Sequence, residues 1–346
     1  MNELYMHRCF DLARLGAGHV SPNPMVGAVL VHENRIIGEG WHRQYGKAHA
    51  EVNAVASVKP EDQHLIEKTT LYVSLEPCCI FGKTPPCTNL ILEKKIPRVV
   101  ISCLDQTPEV RGKGVDILRQ NGVEVVTGIL AKEGEVLSGI RNTFVARHRP
   151  YINLKFAQSS DGFMGKPGQQ VWISNPFSKR LAHKWRSEFD AILIGTKTAL
   201  MDNPQLNNRL WFGKSPLRIL LDKKLAVPKS AHIYDATAKT LVVTEKVGYP
   251  VNENVEFLSL PFDENLLEKL LKYLFEKRIT SLIVEGGSVT LSRFIEQGLW
   301  DEATVFTSKT HLLNGIKAPV IPVDPFQTFP LGTDTLTLYR NGPPRR

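Results

Sequence analysis

The chain has 346 residues, 42% hydrophobic and 23% charged, fractions that exclude a disordered or fibrous polymer. At about 150 residues per domain, the length favours two domains. Lys and Arg number 43 against 35 Asp and Glu, a net charge of +8, which suits phosphorylated ligands, nucleic acid or plain solubility and does not choose among them.

The first half alternates helix and strand. Leu4 to Leu15 has helical apolar spacing, and Gly27 to His32 and Ile36 to Trp41 read as a strand pair turning at Glu33-Asn34. A helix follows over Ala50 to Val58, a strand over Thr70 to Leu75, a helix over Thr88 to Lys94 and a strand over Arg98 to Leu104. A short helix from Val115 to Gln120, closed by Asn121-Gly122, and a strand from Val123 to Thr127 complete the series. The basic stretch Arg141 to Pro150 marks the boundary, dividing the chain into residues 1–147 and 148–346. Strands then recur at Tyr151 to Ala157, Ala191 to Gly195, Leu217 to Asp222, Thr240 to Thr244 and Ser281 to Val284. Alternation of this kind predicts an α/β fold in both halves. The tail, Asn341 to Arg346, is expected to be disordered.

No apolar run approaches the roughly 20 residues of a membrane-spanning helix, and the N-terminus lacks a signal-peptide layout. A cytoplasmic protein without a membrane partner is expected. Of the five cysteines, Cys78, Cys79 and Cys87 cluster, which in a reducing compartment points to a metal or reactive site. His49, Cys78 and Cys87 supply three zinc ligands and leave a fourth tetrahedral position for water, the layout of a catalytic centre. Zinc lowers the pKa of bound water to about 7, making a hydroxide nucleophile, and Glu51, two residues from His49, is placed to carry the proton. Pro77 sets the backbone for Cys78 at the start of a helix or turn. Cys79 competes in principle; alternation along an extended chain favours Cys78. Cys9 and Cys103 read as core.

His-x-Glu, then Pro-Cys and a second Cys, is the zinc deaminase pattern, with an eight-residue gap between the cysteines here. The block Glu76-Pro-Cys-Cys-Ile-Phe-Gly-Lys-Thr-Pro-Pro-Cys87 resembles the deaminase domain of the bifunctional riboflavin-biosynthesis deaminase/reductase family. So do Ser21-Pro-Asn-Pro-Met-Val-Gly27 and Asp105-Gln-Thr-Pro-Glu-Val-Arg-Gly-Lys-Gly114. The family's usual Ser-His pair is Cys79-Ile80 here, and Lys83 stands where Arg is usual. The resemblance implies a cytidine-deaminase-like zinc domain with Asn23, His42 and Lys83 lining its substrate pocket.

In the second half, Ser281-Leu-Ile-Val-Glu-Gly-Gly-Ser288 places a strand, a glycine pair and a helix start together, with Gly298 as the helix stop. Tyr151 to Gly162, Trp172-Ile-Ser174, Gly195 to Leu206 with Arg209, and Val284 to Gly287 resemble the same family's reductase domain. That resemblance implies a dihydrofolate-reductase-like fold. It gives NADPH to Ala157, Trp172, Thr198, Asp202, Gly287, Ser288, Val289, Thr290, Leu291, Ser292 and Arg293. It gives the substrate to Gln170, Arg186, Leu206, Arg209 and Glu285. Arg186 and Arg209 have the forked donors of a phosphate clamp, and Lys155 or Asp202 is placed to move a proton.

The resemblance implies a bifunctional riboflavin biosynthesis enzyme with Zn2+ and NADPH. It deaminates 2,5-diamino-6-(5-phosphoribosylamino)pyrimidin-4-one and then reduces the ribosyl side chain to ribityl. A homo-oligomer is expected and nucleic acid is not. The rival enzyme reading is a nucleic-acid or nucleoside zinc deaminase with an appended binding domain, which predicts a basic, aromatic-rich surface. No lysine or arginine cluster lies near His49 to Cys87 beyond Lys47 and Lys83. A structural zinc module predicts four protein ligands and no need for Glu51.

Overall fold

The computed structural model describes residues 2–169, 171–248 and 253–342. The chain divides into two compact units, Met1–Arg149 and Pro150–Arg346. Residues 343–346 of the tail lie outside the described residues. Among the described residues, no helix is long and apolar enough to cross a membrane.

The N-terminal unit opens with α1 (Asn2–Arg14) and the hairpin β1 (Gly27–His32) and β2 (Arg35–Trp41). Glu33 and Asn34 both adopt positive φ, 46° and 66°, the left-handed pair that matches the twist of a two-residue hairpin. There follow α2 (Ala50–Ala56), β3 (Thr70–Leu75), α3 (Cys87–Glu93), β4 (Arg98–Cys103), α4 (Lys113–Gln120) and β5 (Glu124–Thr127). Two short helices, α5 (Ala131–Leu137) and α6 (Gly139–Arg147), end the unit. The sheet order is β2-β1-β3-β4-β5, with β1 antiparallel to both neighbours and β3, β4 and β5 parallel.

Period-two alternation along β1 builds two cores. Ala28 and Leu30 pack with Ala54 and Val55 of α2 and with Ile91 of α3. Val29 and Val31 pack with Met6, Cys9 and Phe10 of α1. Cys9 and Cys103 are buried as expected, and burial pushes both thiols up, Cys103 to about 12. The basic stretch from Arg141 is not a connector: residues 141–147 are helical, with Thr143 and Phe144 buried, Arg141 half-buried and donating to Thr107, and Arg147 exposed.

Gly40 on β2 lets α2 lie against the sheet. A Cβ there would meet the backbone nitrogen of Ala54 and come within 2.6 Å of the carbonyl carbon of Asn53. Gly40→Ala must therefore displace helix backbone. We expect it to lower stability by about 1–3 kcal/mol, read as a lower urea midpoint at unchanged slope.

The C-terminal unit carries β6 (Tyr151–Gln158), β7 (Phe163–Gly165), α7 (Pro176–Glu188), β8 (Ala191–Gly195), α8 (Thr196–Asp202), β9 (Leu217–Leu221), β10 (Thr240–Thr244) and β11 (Val255–Ser259). It continues with α9 (Leu266–Glu276), β12 (Ser281–Gly286), α10 (Ser288–Glu296), β13 (Glu302–Thr307), β14 (Ile316–Lys317), β15 (Pro325–Leu331) and β16 (Asp334–Arg340). The nine-stranded order is β11-β10-β9-β8-β12-β6-β13-β16-β15. The first seven strands of that order are parallel, and β16 and β15 turn antiparallel. The central strands are nearly unbroken apolar runs because helices cover both faces. Leu193 and Val284 pack beneath α9 and α10, while Ile192, Ile194 and Ile283 pack with Ala199 of α8 and Trp185 of α7. In such a sheet the carboxyl ends of the strands form the natural ligand crevice.

Candidate active sites

In the N-terminal unit, three chain segments meet beside the start of α2. His49 is the residue preceding that helix, in extended conformation, and Glu51 lies in its first turn. Cys87 is the first residue of α3. Cys78, expected at the start of a helix or turn, follows β3 on irregular backbone. His49 Nδ1 stands 3.4 Å from Cys78 Sγ and 3.3 Å from Cys87 Sγ. Sulfur and imidazole ligands on a tetrahedral zinc are about 3.5 Å apart, so these three residues fit a zinc ion without rearrangement. They also form the described group whose donor atoms all lie within 4.8 Å of one another. Cys79 stays outside this triangle, its thiol 3.8 Å from the Glu109 carbonyl.

Neighbouring groups orient the ligands. Thr84 Oγ1 is 3.3 Å from His49 Nε2, which leaves Nδ1 for the thiols. The Cys87 N–H donates to Cys78 Sγ. Hydrogen bonds from Cys87 and His49 hold the Cys78 thiol below its ordinary value, whereas the Cys78 partner and burial push Cys87 up. Glu51 is 3% exposed. Burial, then the charge of Cys78, raises its carboxyl, against opposing pulls from His49 and Cys87.

Glu76 was not singled out by the sequence. Its buried carboxylate accepts the N–H groups of Asp105 and Gly112 on one oxygen, at 3.2 and 3.0 Å. The other oxygen accepts those of Gly114 and Val115, at 3.0 and 3.3 Å. Glu76 thereby ties the 105–115 segment to the backbone immediately before Pro77 and Cys78. Of the expected pocket residues, His42 is 2% exposed and its ring lies 5.2 Å from that of His49. Its Nδ1 bonds the Ala48 carbonyl at 3.0 Å, so Nδ1 carries the proton, and Nε2 accepts from Asn23 Nδ2 at 3.1 Å. Burial holds this imidazole below its ordinary value, in keeping with the neutral form. Lys83 is exposed, its ammonium over the Tyr45 ring at 4.2 Å.

The C-terminal unit contains a cleft of about 1220 Å³ at the carboxyl ends of β6, β8, β9 and β12, larger than the roughly 300–1,000 Å³ that holds one small ligand. Three ionic side chains meet in it. Arg186 donates Nε to Glu285 Oε1 at 3.1 Å and Nη2 to Oε2 at 2.8 Å. Lys155 Nζ lies 3.7 Å from Glu285 Oε2. Burial alone would raise the Glu285 carboxyl, but Arg186 and Lys155 outweigh it and hold it at about 2. Burial pulls the Lys155 ammonium below its ordinary value despite Glu285. The fork of Arg186, expected with Arg209 to clamp a phosphate, is bonded here to the Glu285 carboxylate. Arg209 is exposed and bonds Asn207 Oδ1 at 2.9 Å. The same Asn207 offers its carbonyl to Arg186 at 3.4 Å.

Among the expected cofactor residues, Ala157, Trp172, Thr198, Asp202, Gly287, Ser288, Val289, Thr290 and Arg293 line the cleft. Leu291 instead is fully buried in the core under α10, and Ser292 is not among the lining residues. Both follow from helical geometry, which turns only part of the seven-residue stretch Gly287 to Arg293 toward one face. Gly286 has φ +150°, and the Gly287 N–H donates to Thr198 Oγ1 at 2.8 Å. A Cβ on Gly287 would stand 2.9 Å from that hydroxyl. A close, side-chain-free floor at a helix N-terminus fits a dinucleotide's phosphates. Trp172 is 68% exposed at the rim with Lys179 over its ring at 4.6 Å. Leu206 and Glu285 also line the cleft; Gln170 lies outside the described residues. Asp202 is exposed at the end of α8, so the buried carboxylate beside Lys155 is Glu285.

Residues 150–312 match the family described as RibD C-terminal domain. Residues 1–103 match the cytidine and deoxycytidylate deaminase zinc-binding region. The riboflavin biosynthesis protein RibD of Aquifex aeolicus is 40% identical over 321 residues, covering 90% of this chain and 88% of that protein. RibD of Bacillus amyloliquefaciens is 38% identical over 329 residues, covering 92% and 87%. The crystal structure of a diaminohydroxyphosphoribosylaminopyrimidine deaminase/5-amino-6-(5-phosphoribosylamino)uracil reductase from Thermotoga maritima is 35% identical and superimposes with TM-score 0.90 over 99% of both chains.

Proposed function

The chain belongs to the RibD family of riboflavin biosynthesis proteins, and from that premise we propose how its two sites work. It is a bifunctional enzyme, a deaminase and a reductase, with a cytidine-deaminase-like N-terminal domain and a dihydrofolate-reductase-like C-terminal domain. The boundary between them is read at Pro150, where the reductase match begins. The deaminase substrate in this reading is the 5-phosphoribosylamino diaminopyrimidinone, and the reductase takes the deaminated product. The observation that carries it is the preorganised zinc triangle with a buried carboxylic acid beside it.

His49, Cys78 and Cys87 hold the zinc, which when bound supplies a water of pKa near 7 at the fourth position. Glu51 takes one proton from the attacking water and gives it to the ring nitrogen, then takes the second from the hydroxyl so formed and gives it to the amine, which leaves as ammonia while the carbonyl forms. Asn23, fixed by His42, presents its carbonyl oxygen to the heterocycle, and Lys83 offers a point charge to the ribose phosphate. In the reductase, NADPH supplies the hydride when bound on the floor made by Thr198, Gly287, Ser288, Val289, Thr290 and Arg293, with Ala157, Trp172 and Asp202 at its edges. Lys155 donates a proton to the ribose ring oxygen as the C1–O bond breaks, leaving C1 electrophilic. Glu285 holds that ammonium in place, and Arg186 holds Glu285. Leu206 closes the apolar side of the substrate, and Arg209 takes its phosphate.

The reading has the chain act in the cytoplasm, where zinc-binding thiols stay reduced. It also has the chain self-associate: β15, the last strand of the sheet, exposes Phe326 and Phe329 at an open edge. Light scattering on the purified chain measures that mass.

The experiment follows ammonia release and NADPH oxidation with one purified preparation. NADPH is consumed only after ammonia appears. Removing zinc with a chelator stops ammonia release and spares reduction of substrate that is already deaminated; adding zinc restores it. Ammonia release that persists without metal, or NADPH oxidation without prior deamination, defeats the assignment.

A further inference from the structure

Helix α7 turns Lys179, Ala182, His183 and Arg186 to the cleft, the i, i+3, i+4 and i+7 face of one helix. His183 is 2% exposed. Its Nδ1 accepts the backbone N–H of Arg209 at 3.2 Å. An amide N–H only donates, so Nδ1 holds the lone pair and the ring proton sits on Nε2. Among the described residues, no hydrogen bond reaches Nε2. Arg186 has spent its fork on Glu285, and Arg209 has spent one nitrogen on Asn207. A phosphate beside Arg209 therefore needs another donor, and Nε2–H is the near neutral one.

We propose that His183 is a further substrate-binding residue of the reductase, its Nε2–H donating to the substrate phosphate while its Nδ1 holds the Arg209 loop in place. This rests on the reading of Arg209 as the phosphate arginine. The ring is surrounded by Lys179 and Arg186 on its own helix, Arg209 on the loop and Glu285 on β12. Burial, then Arg186 and Arg209, bring it to about 4, so it is a neutral donor throughout the working pH range and adds direction without adding charge.

Two substitutions separate its two nitrogens. His183→Asn keeps an acceptor near the Nδ1 position and removes the distal donor. His183→Gln keeps a distal donor and gives up the acceptor. The probe is sulfate, tested as an inhibitor competing with the deaminated substrate, with reduction as the readout. We expect His183→Asn to raise the sulfate inhibition constant and the substrate KM by about tenfold, with a smaller change in kcat, and His183→Gln to recover part of that loss. An inhibition constant within twofold of native in His183→Asn overturns the proposal. Arg209→Ala separates the layers: no effect there defeats the phosphate-site reading itself, whereas a large effect there with none in His183→Asn defeats only the role of His183. If His183→Asn does not fold, sulfate titration of the native chain decides through the imidazole nitrogen resonances. Nε2 must move more than Nδ1; equal or no movement overturns the proposal.

Discussion

Glu51→Gln is expected to retain zinc, to lose deamination by about 10²–10⁴-fold and to reduce deaminated substrate at the native rate. The glutamine fills nearly the same volume, so α2 keeps its packing against Gly40 of β2. The donor atoms close enough together to hold a metal are those of His49, Cys78 and Cys87, and the Glu51 carboxylate is not part of that group. What the amide cannot do is accept a proton and give it back. Its burial makes the loss severe, because no solvent-exposed base replaces a group that is 3% exposed. Metal content by mass spectrometry, ammonia release and NADPH oxidation are measured on one preparation. Deamination within tenfold of native removes Glu51 from the proton path, and loss of zinc makes it a ligand or a support of one.

The zinc centre was legible in the sequence because each of its parts sits at an element end that local signals mark. His49 precedes a helical period, Cys78 follows a strand after a proline, and Cys87 begins a helix. The core strands were legible for the same local reason, unbroken apolar runs bounded by turns. The cleft in the C-terminal unit was harder to read. Its cavity-facing helix α7 presents Lys179, His183 and Arg186 inward, so the apolar stripe that reveals a helix is interrupted where the ligand goes. The Arg186–Glu285 pair joins residues far apart in the chain, and no spacing rule announces it. Glu76 likewise captures N–H groups from the distant 105–115 segment. The Lys179, His183 and Arg186 spacing was the available signal for His183, and it needed a known cavity to be recognised. Helical periodicity does explain why Leu291, in the same stretch as the cleft-lining Thr290 and Arg293, faces the core.

Lys155→Met and Glu285→Gln are expected to fail in different ways, and the contrast identifies the proton donor. Lys155→Met keeps the bidentate Arg186–Glu285 pair, so every remaining buried charge stays compensated. The fold and cofactor binding survive, and reduction falls by about 10²–10⁴-fold. Glu285→Gln leaves Arg186 and Lys155 buried without their counter-charge, a change that costs about 3–5 kcal/mol, and the chain unfolds at lower temperature. The acid dependence checks the same pair. A carboxyl held at about 2 in the folded chain, against about 4.3 unfolded, stabilises fully above the unfolded value and loses that contribution as pH falls from there toward the folded one. Native stability should therefore drop across that window, and Glu285→Gln should flatten the drop. On the alkaline side, burial places the Lys155 titration below the ordinary lysine value. The kcat/KM for reduction then declines there as the donor loses its proton. Substantial reduction by Lys155→Met, with the same alkaline decline, would pass the proton to another group in the cleft.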